Sequence, residues 1–260
     1  LVACSALFCL VPPSGDHQAA CRVTTTGHES VVLLTAADGR YCTGSLVLPN
    51  AVLTAAHCLE DLGPDELRVT VGNEDHRVDQ LLIHPDYRPG ESAAPDPADV
   101  AIVAFLPRGV SSPALPISSR AMRRGEEVTF VGFGDSRTSR ANEPLIKRIG
   151  NDRYMPGNRW SASGLENSVA TAERGRGLLY FESGPSDVGG SPYGAAATRG
   201  DSGGPVFGEN GAIVGVLIAV SQVRDVETPH RVTWAVDIQS PSVRSFLASS
   251  FRKLAARAVA

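Results

Sequence analysis

Short apolar, β-branched runs broken by turn residues recur from Val31 to Val236, and the period changes only after Ser240. This pattern predicts an all-β barrel or sandwich. The runs Val31–Leu34, Ser45–Leu48, Val52–Thr54, Leu67–Val71, Gln80–Ile83 and Val100–Phe105 read as strands of a first unit. Val128–Val131, Leu145–Ile149, Leu178–Phe181, Ala212–Val220 and Val232–Val236 read as strands of a second. Between them, Ser111–Glu127 loses the pattern and marks a junction. Gly72-Asn73, Pro85-Asp86 and Pro107-Arg108-Gly109 are turn signals, and Pro89–Pro97 reads as a surface loop. Asp135–Asn142 and Ser183–Ala197 are long for a compact domain, where such loops are often functional. At the end, Ser240 can cap a helix with Pro241 in its first turn. Val243, Phe246, Leu247, Phe251 and Leu254 then form one apolar stripe that docks on a β core.

Composition narrows the function classes. With 260 residues and 42 % hydrophobic content, the chain can bury a sizeable core as one unit. A net charge of -4 offers no phosphate-binding face, so no nucleic-acid partner is expected. His17, His28, His76 and His230 lack ligand-like spacing and no C-x-x-C pair is present, so neither metal nor cofactor is expected. Cys4, Cys9, Cys21, Cys42 and Cys58 all fall in the first quarter, unlike a small disulfide scaffold. Leu1–Val11 has the length of an export signal and is too short for a membrane span. Leu1-Val2-Ala3-Cys4 also fits a lipoprotein box, making Cys4 a candidate lipid anchor.

Three separated segments carry chemistry. Thr54-Ala55-Ala56-His57-Cys58 places a histidine after an apolar strand, and Asp99 opens the run Val100–Phe105. Gly200-Asp201-Ser202-Gly203-Gly204-Pro205 sets a serine in a turn that only glycines could form. A serine hydroxyl needs a base to become nucleophilic at neutral pH. Histidine titrates in the right range and can return the proton to the leaving amine. A carboxylate behind it fixes the tautomer and stabilises the imidazolium. The oxyanion that develops needs two aimed N–H donors, which Gly200 and Ser202 can supply. Asp99 is preferred over Asp96 and Asp86 because it immediately precedes the strand. The same serine satisfies G-x-S-x-G, with Asp225 and His230 downstream. That elbow needs a helix after the serine, whereas Pro205 and Gly208–Gly211 predict a hairpin. Arg199-Gly200-Asp201 spells an adhesion tripeptide, which is better read as chance.

In that order, His57, Asp99 and Ser202 resemble the three catalytic blocks of the trypsin/chymotrypsin family of serine proteases. Tyr41–Val47, Ile83-His84-Pro85-Asp86-Tyr87, Val131–Gly134 and Thr233–Val236 with a terminal helix are similar to further family segments, over about residues 28–250. The resemblance implies two six-stranded antiparallel β-barrels and a C-terminal α-helix. It further implies a disulfide between Cys42 and Cys58, an oxyanion hole at Gly200 and Ser202, and a secreted or cell-envelope endopeptidase acting on protein or peptide substrates. On this reading 1–22 is an export signal or propeptide, 23–118 the first barrel subdomain and 119–260 the second.

Two departures matter. Family members pair a newly formed amino terminus with the acid before the serine, here Asp201, yet no Ile-Val-Gly-Gly precedes Cys42. Trimming within 15–23, with Arg22-Val23 the nearest bond, is the expected maturation. In the specificity pocket Ala196 stands where trypsin-like chains carry an Asp, Thr198 replaces a cysteine, and Ile218 and Val220 replace the usual strand. Together Ala196, Ile218 and Val220 predict small or medium apolar residues before the cut, because a methyl group cannot offset the desolvation of a cation. A non-catalytic binding protein on the same fold is the runner-up, and esterase activity would use the same residues.

Overall fold

The computed structural model describes residues 21–23, 28–90, 95–106, 110–123, 125–134, 147–153, 177–183, 196–223 and 230–258. The expected export segment with Cys4 and Cys9, the loop 135–142, most of 183–197, and Asp225 lie outside them.

A three-residue strand β1, Cys21–Val23, precedes the first unit. That unit comprises β2 (Val31–Ala36), β3 (Tyr41–Leu48), β4 (Ala51–Thr54), β5 (Leu67–Val71), β6 (Glu74–Ile83) and β7 (Ala101–Phe105). They close into a barrel in the order β2-β3-β4-β7-β6-β5, every pair antiparallel. Closure pairs every strand and removes free edges. β6 starts six residues before the apolar run at Gln80. Its first half, Glu74-Asp75-His76-Arg77-Val78, alternates exposed charges with buried His76 and Val78, which is the period of a half-buried strand.

All five residues of β7 are buried. One side faces the barrel interior and the other is covered by helix α1, Pro241–Ala258. The backbone N–H of Arg244 reaches the carbonyl of Ser240 at 3.0 Å, opening the helix where the serine cap was expected. Val243, Leu247 and Leu254 are buried and Phe246 and Phe251 half-buried, so the apolar stripe is the docking face.

The second unit contains β8 (Glu127–Gly132), β9 (Arg148–Arg153), β10 (Leu178–Ser183), β11 (Pro205–Phe207), β12 (Ile213–Val223) and β13 (His230–Asp237). With β1 they form a seven-stranded sheet, ordered β1-β9-β8-β11-β12-β13-β10. One strand goes beyond the six-stranded expectation, β1, which adds to the edge of β9; β11, which follows the serine turn, is one of the six but was not among the apolar runs. β10 also approaches β9, so the sheet curls back on itself. Its core includes Val128, Leu179, Val206 and Ala235, with Phe130 and Phe181 packed edge to face at 5.1 Å. Segment 110–123 ties the units together: Leu115 donates its N–H to Leu46 of the barrel, and Ile213 of the sheet donates to Pro116.

Candidate active site

Strand register brings the histidine to the acid. β4 lies against β7 with Thr54 opposite Ala101, so the residues after Thr54 and before Ala101 leave the barrel at one rim. Ala55 and Ala56 are fully buried, and such small side chains let the chain turn sharply into a 3-10 helix at His57–Leu59. The Asp99 carboxylate accepts the His57 backbone N–H at 2.8 Å through Oδ1 and faces Nδ1 of the same residue at 2.7 Å through Oδ2. An ionised carboxylate only accepts, so Nδ1 carries the proton and Nε2 keeps its lone pair. Burial pushes the imidazole pKa down. The Asp99 hydrogen bond and charge, with a smaller contribution from Glu60, outweigh it and hold His57 above its ordinary value.

The competing acids are engaged elsewhere. Asp96 accepts the backbone N–H groups of Ala98 and Arg88, shaping the turn that delivers Asp99. Asp86 accepts the Ser242 hydroxyl at 3.5 Å. Ser242, His84 and Asp86 superficially repeat the three residue types. His84 Nδ1, however, accepts the Asp86 backbone N–H at 3.2 Å, so Nε2 carries the proton and cannot act as base toward Ser242.

The serine arrives from the second unit on a turn. Gly200 and Gly203 have φ of +95° and +81°, which side chains rarely tolerate. A Cβ on Gly203 would also lie 2.0 Å from Thr54 Oγ1 and 2.2 Å from the Thr43 carbonyl. The turn closes through Gly204 N–H to Asp201 O at 2.9 Å and Gly203 N–H to Leu217 O at 2.7 Å. Thr43 donates its N–H to the Ser202 carbonyl at 2.8 Å, joining the turn to the barrel. Ser202, His57, Gly200, Arg199, Tyr41, Cys42 and Cys58 then line one cavity of about 190 Å³. Strand β11 follows the turn, so the elbow with a helix after the serine is not formed.

Asp201 is fully buried. Its Oδ1 accepts Gly134 N–H at 2.8 Å, and Oδ2 accepts the Thr198 N–H at 2.7 Å and hydroxyl at 3.0 Å. Thr198, where the resemblance leads one to expect a cysteine, therefore anchors the acid before the serine. Cys42 and Cys58 form a disulfide across the histidine loop. Among the described residues, Cys42, His57 and Cys58 are the group close enough to share a metal ion, within 4.8 Å of one another. Both sulfurs are already joined and offer no thiolate.

The expected specificity residues are not brought to this cavity. Ala196 and Ile218 are buried, while Val220 on β12 is exposed. Two contributors were not singled out from the sequence. Glu60 accepts the Tyr87 hydroxyl beside His57. Burial and that hydrogen bond push the phenol far above its ordinary range, so it stays a donor and orients Glu60. Thr43 is the other, and only its place between the two units reveals it.

The sequence profile of the family described as Trypsin matches residues 15–240. A vitellin-degrading protease of Bombyx mori is 27% identical over 179 residues, covering 64% of this chain and 61% of that protein. A venom serine protease of Polistes dominula is 26% identical, with 45% and 48% covered. Coagulation factor XII of Sus scrofa is 30% identical, with 65% and 29% covered. The chain thus spans about half to three fifths of the first two of these relatives and under a third of the factor XII chain. Among solved structures, mouse neuropsin, a serine protease, aligns with TM-score 0.63 at 20% identity, covering 86% of this chain and 95% of that one. A Glu endopeptidase aligns at 0.61 and 13%, covering 89% and 96%. At such identities the structural likeness concerns the fold.

Proposed function

This chain belongs to the trypsin family, and from that premise we propose that it is a serine endopeptidase acting through Ser202, His57 and Asp99. His57 Nε2 takes the Ser202 proton as Oγ attacks the peptide carbonyl. The carbonyl oxygen, now negative, is received by the N–H groups of Gly200 and Ser202. Collapse expels the amine, protonated by His57, and leaves an acyl-enzyme. Water activated by the same imidazole then releases the acid. Asp99 holds the ring in the tautomer this requires and compensates the imidazolium charge.

The observation that carries the reading is the two-point grip of Asp99 on His57, at 2.8 and 2.7 Å, on the cavity that Ser202 shares. A structural histidine needs no such paired carboxylate aimed away from its second nitrogen. Labelling with a fluorophosphonate tests it: the wild-type protein reacts, and Ser202→Ala and His57→Ala do not. An unreactive wild-type protein sinks the proposal in favour of a binding role.

The finer features belong to the same proposal. Only the sequence position of Ala196, a methyl where trypsin-like chains carry an acid, supports apolar residues before the cut, since Ala196 does not line the cavity that His57 and Ser202 share; a peptide-library digest dominated by Lys or Arg would contradict it. The Cys42–Cys58 disulfide supports an oxidising compartment outside the cytosol. Among the described residues no helix is long and apolar enough to cross a membrane. The working unit is one peptidase domain divided near 118/119.

A further inference from the structure

We propose that Thr43 is a positioning residue that aims the oxyanion-binding N–H groups from the opposite unit. The inference rests on the peptidase reading above and goes further, because nothing in that reading requires a side chain at this position. Thr43 lies on β3 of the barrel and is completely buried. Every polar atom it has is used at the junction. Its hydroxyl donates to the carbonyl of Gly200 at 2.8 Å and accepts the N–H of Phe133 at 3.0 Å. Its backbone N–H donates to the carbonyl of Ser202 at 2.8 Å, and its own carbonyl accepts the Thr54 hydroxyl at 2.9 Å.

The peptide planes explain why this matters. The two oxyanion donors belong to the peptides 199–200 and 201–202. The carbonyls that Thr43 grips belong to 200–201 and 202–203, which alternate with them along the chain. A glycine at φ +95° gives Gly200 access to several peptide orientations, so the turn needs an outside restraint. The hydroxyl restrains one plane and the N–H the other. From the far side, the Asp201 carboxylate is held by Gly134 and Thr198, which limits rotation between them. Preorganised donors cost no reorientation when the charge develops, which is where such sites draw most of their rate.

The hydroxyl can be removed at nearly constant shape. Thr43→Val leaves the Gly200 carbonyl and Phe133 N–H without their partner. The expected result is a ~10- to 100-fold fall in kcat on an apolar tetrapeptide p-nitroanilide, with KM changed by less than ~3-fold. Inactivation by a fluorophosphonate slows in parallel, and Thr43→Ser restores both rates to within about 3-fold of wild type. If Thr43→Val does not fold, the same comparison between Thr43→Ala and Thr43→Ser decides the matter: Ser fast and Ala slow supports the role. Variants that lose thermal stability yet keep wild-type kcat and labelling rate overturn it and make Thr43 a packing residue. Equal losses in the Ser variant do so too, because the hydroxyl is then not the group that acts. A wild-type protein that neither labels nor turns over overturns the peptidase reading and Thr43 with it, an outcome distinct from an active enzyme indifferent to position 43.

Discussion

The two β units build their halves of the site by different means. The barrel holds His57 and Asp99 through strand register: β4 and β7 are neighbours, and their ends must meet. The seven-stranded sheet presents Ser202 on a turn between strands, shaped by glycines and by hydrogen bonds reaching over from the barrel. A closed barrel supplies rigidity to any residue on its rim, whereas a turn has to be held residue by residue. The proposed base and acid are therefore expected to tolerate variation around them better than the proposed nucleophile.

Asp99→Asn keeps the size of the side chain but lets Nδ1 lose its proton to the other tautomer. A fall in kcat of roughly 10⁴-fold is expected, with little change in folding. A modest loss would mean that register alone orients His57. Next, core truncations should separate the units. Leu53→Ala and Phe130→Ala both remove fully buried side chains, costing about 2 to 5 and about 3 to 5 kcal/mol by urea unfolding. In the variants that remain folded, the Phe130 change is expected to lower turnover more, because its sheet carries the turn. The reverse order would mean that the barrel, not the sheet, limits turnover.

A smaller effect concerns the clasp on the histidine loop. Replacing Cys42 and Cys58 together by Ala opens a loop whose ends are 16 residues apart. About 3 kcal/mol of stability should be lost, measured by the shift in the urea midpoint with and without reductant. Wild-type protein in reductant should match the double variant. The smallest effect is electrostatic. The proposed base His57 could act only when neutral, and its pKa is raised, so the acid limb of kcat/KM should lie above the ordinary histidine range. Glu60→Gln keeps an acceptor for Tyr87 but removes a charge that favours the imidazolium. The limb should then move to lower pH, and movement upward would show that Glu60 acts in another way.

Most strands were legible because their apolar residues are β-branched and contiguous. The misses have specific causes. Strand β11 begins with Pro205 directly after the serine turn, so turn chemistry hides it. Strand β1 has three residues, too few to show a period, and exists through its pairing with β9. The first half of β6 reads as polar loop because every second residue faces solvent. Of the proposed site, His57 and Ser202 stood out through Thr54–Cys58 and Gly200–Pro205, and Asp99 through its place directly before a strand run, segments that resemble the family's three blocks.

The all-β class, the terminal helix with its docking stripe and the residue types at the proposed site are legible in the amino-acid sequence, since periodicity, turn chemistry and reactive groups are local properties. How the serine turn is held depends on contacts between segments far apart along the chain. The partners of the Thr43 hydroxyl lie 90 and 157 positions away along the chain. A hydroxyl can donate one hydrogen bond anywhere within reach, and no pattern of neighbours along the chain specifies which distant carbonyl will come to meet it.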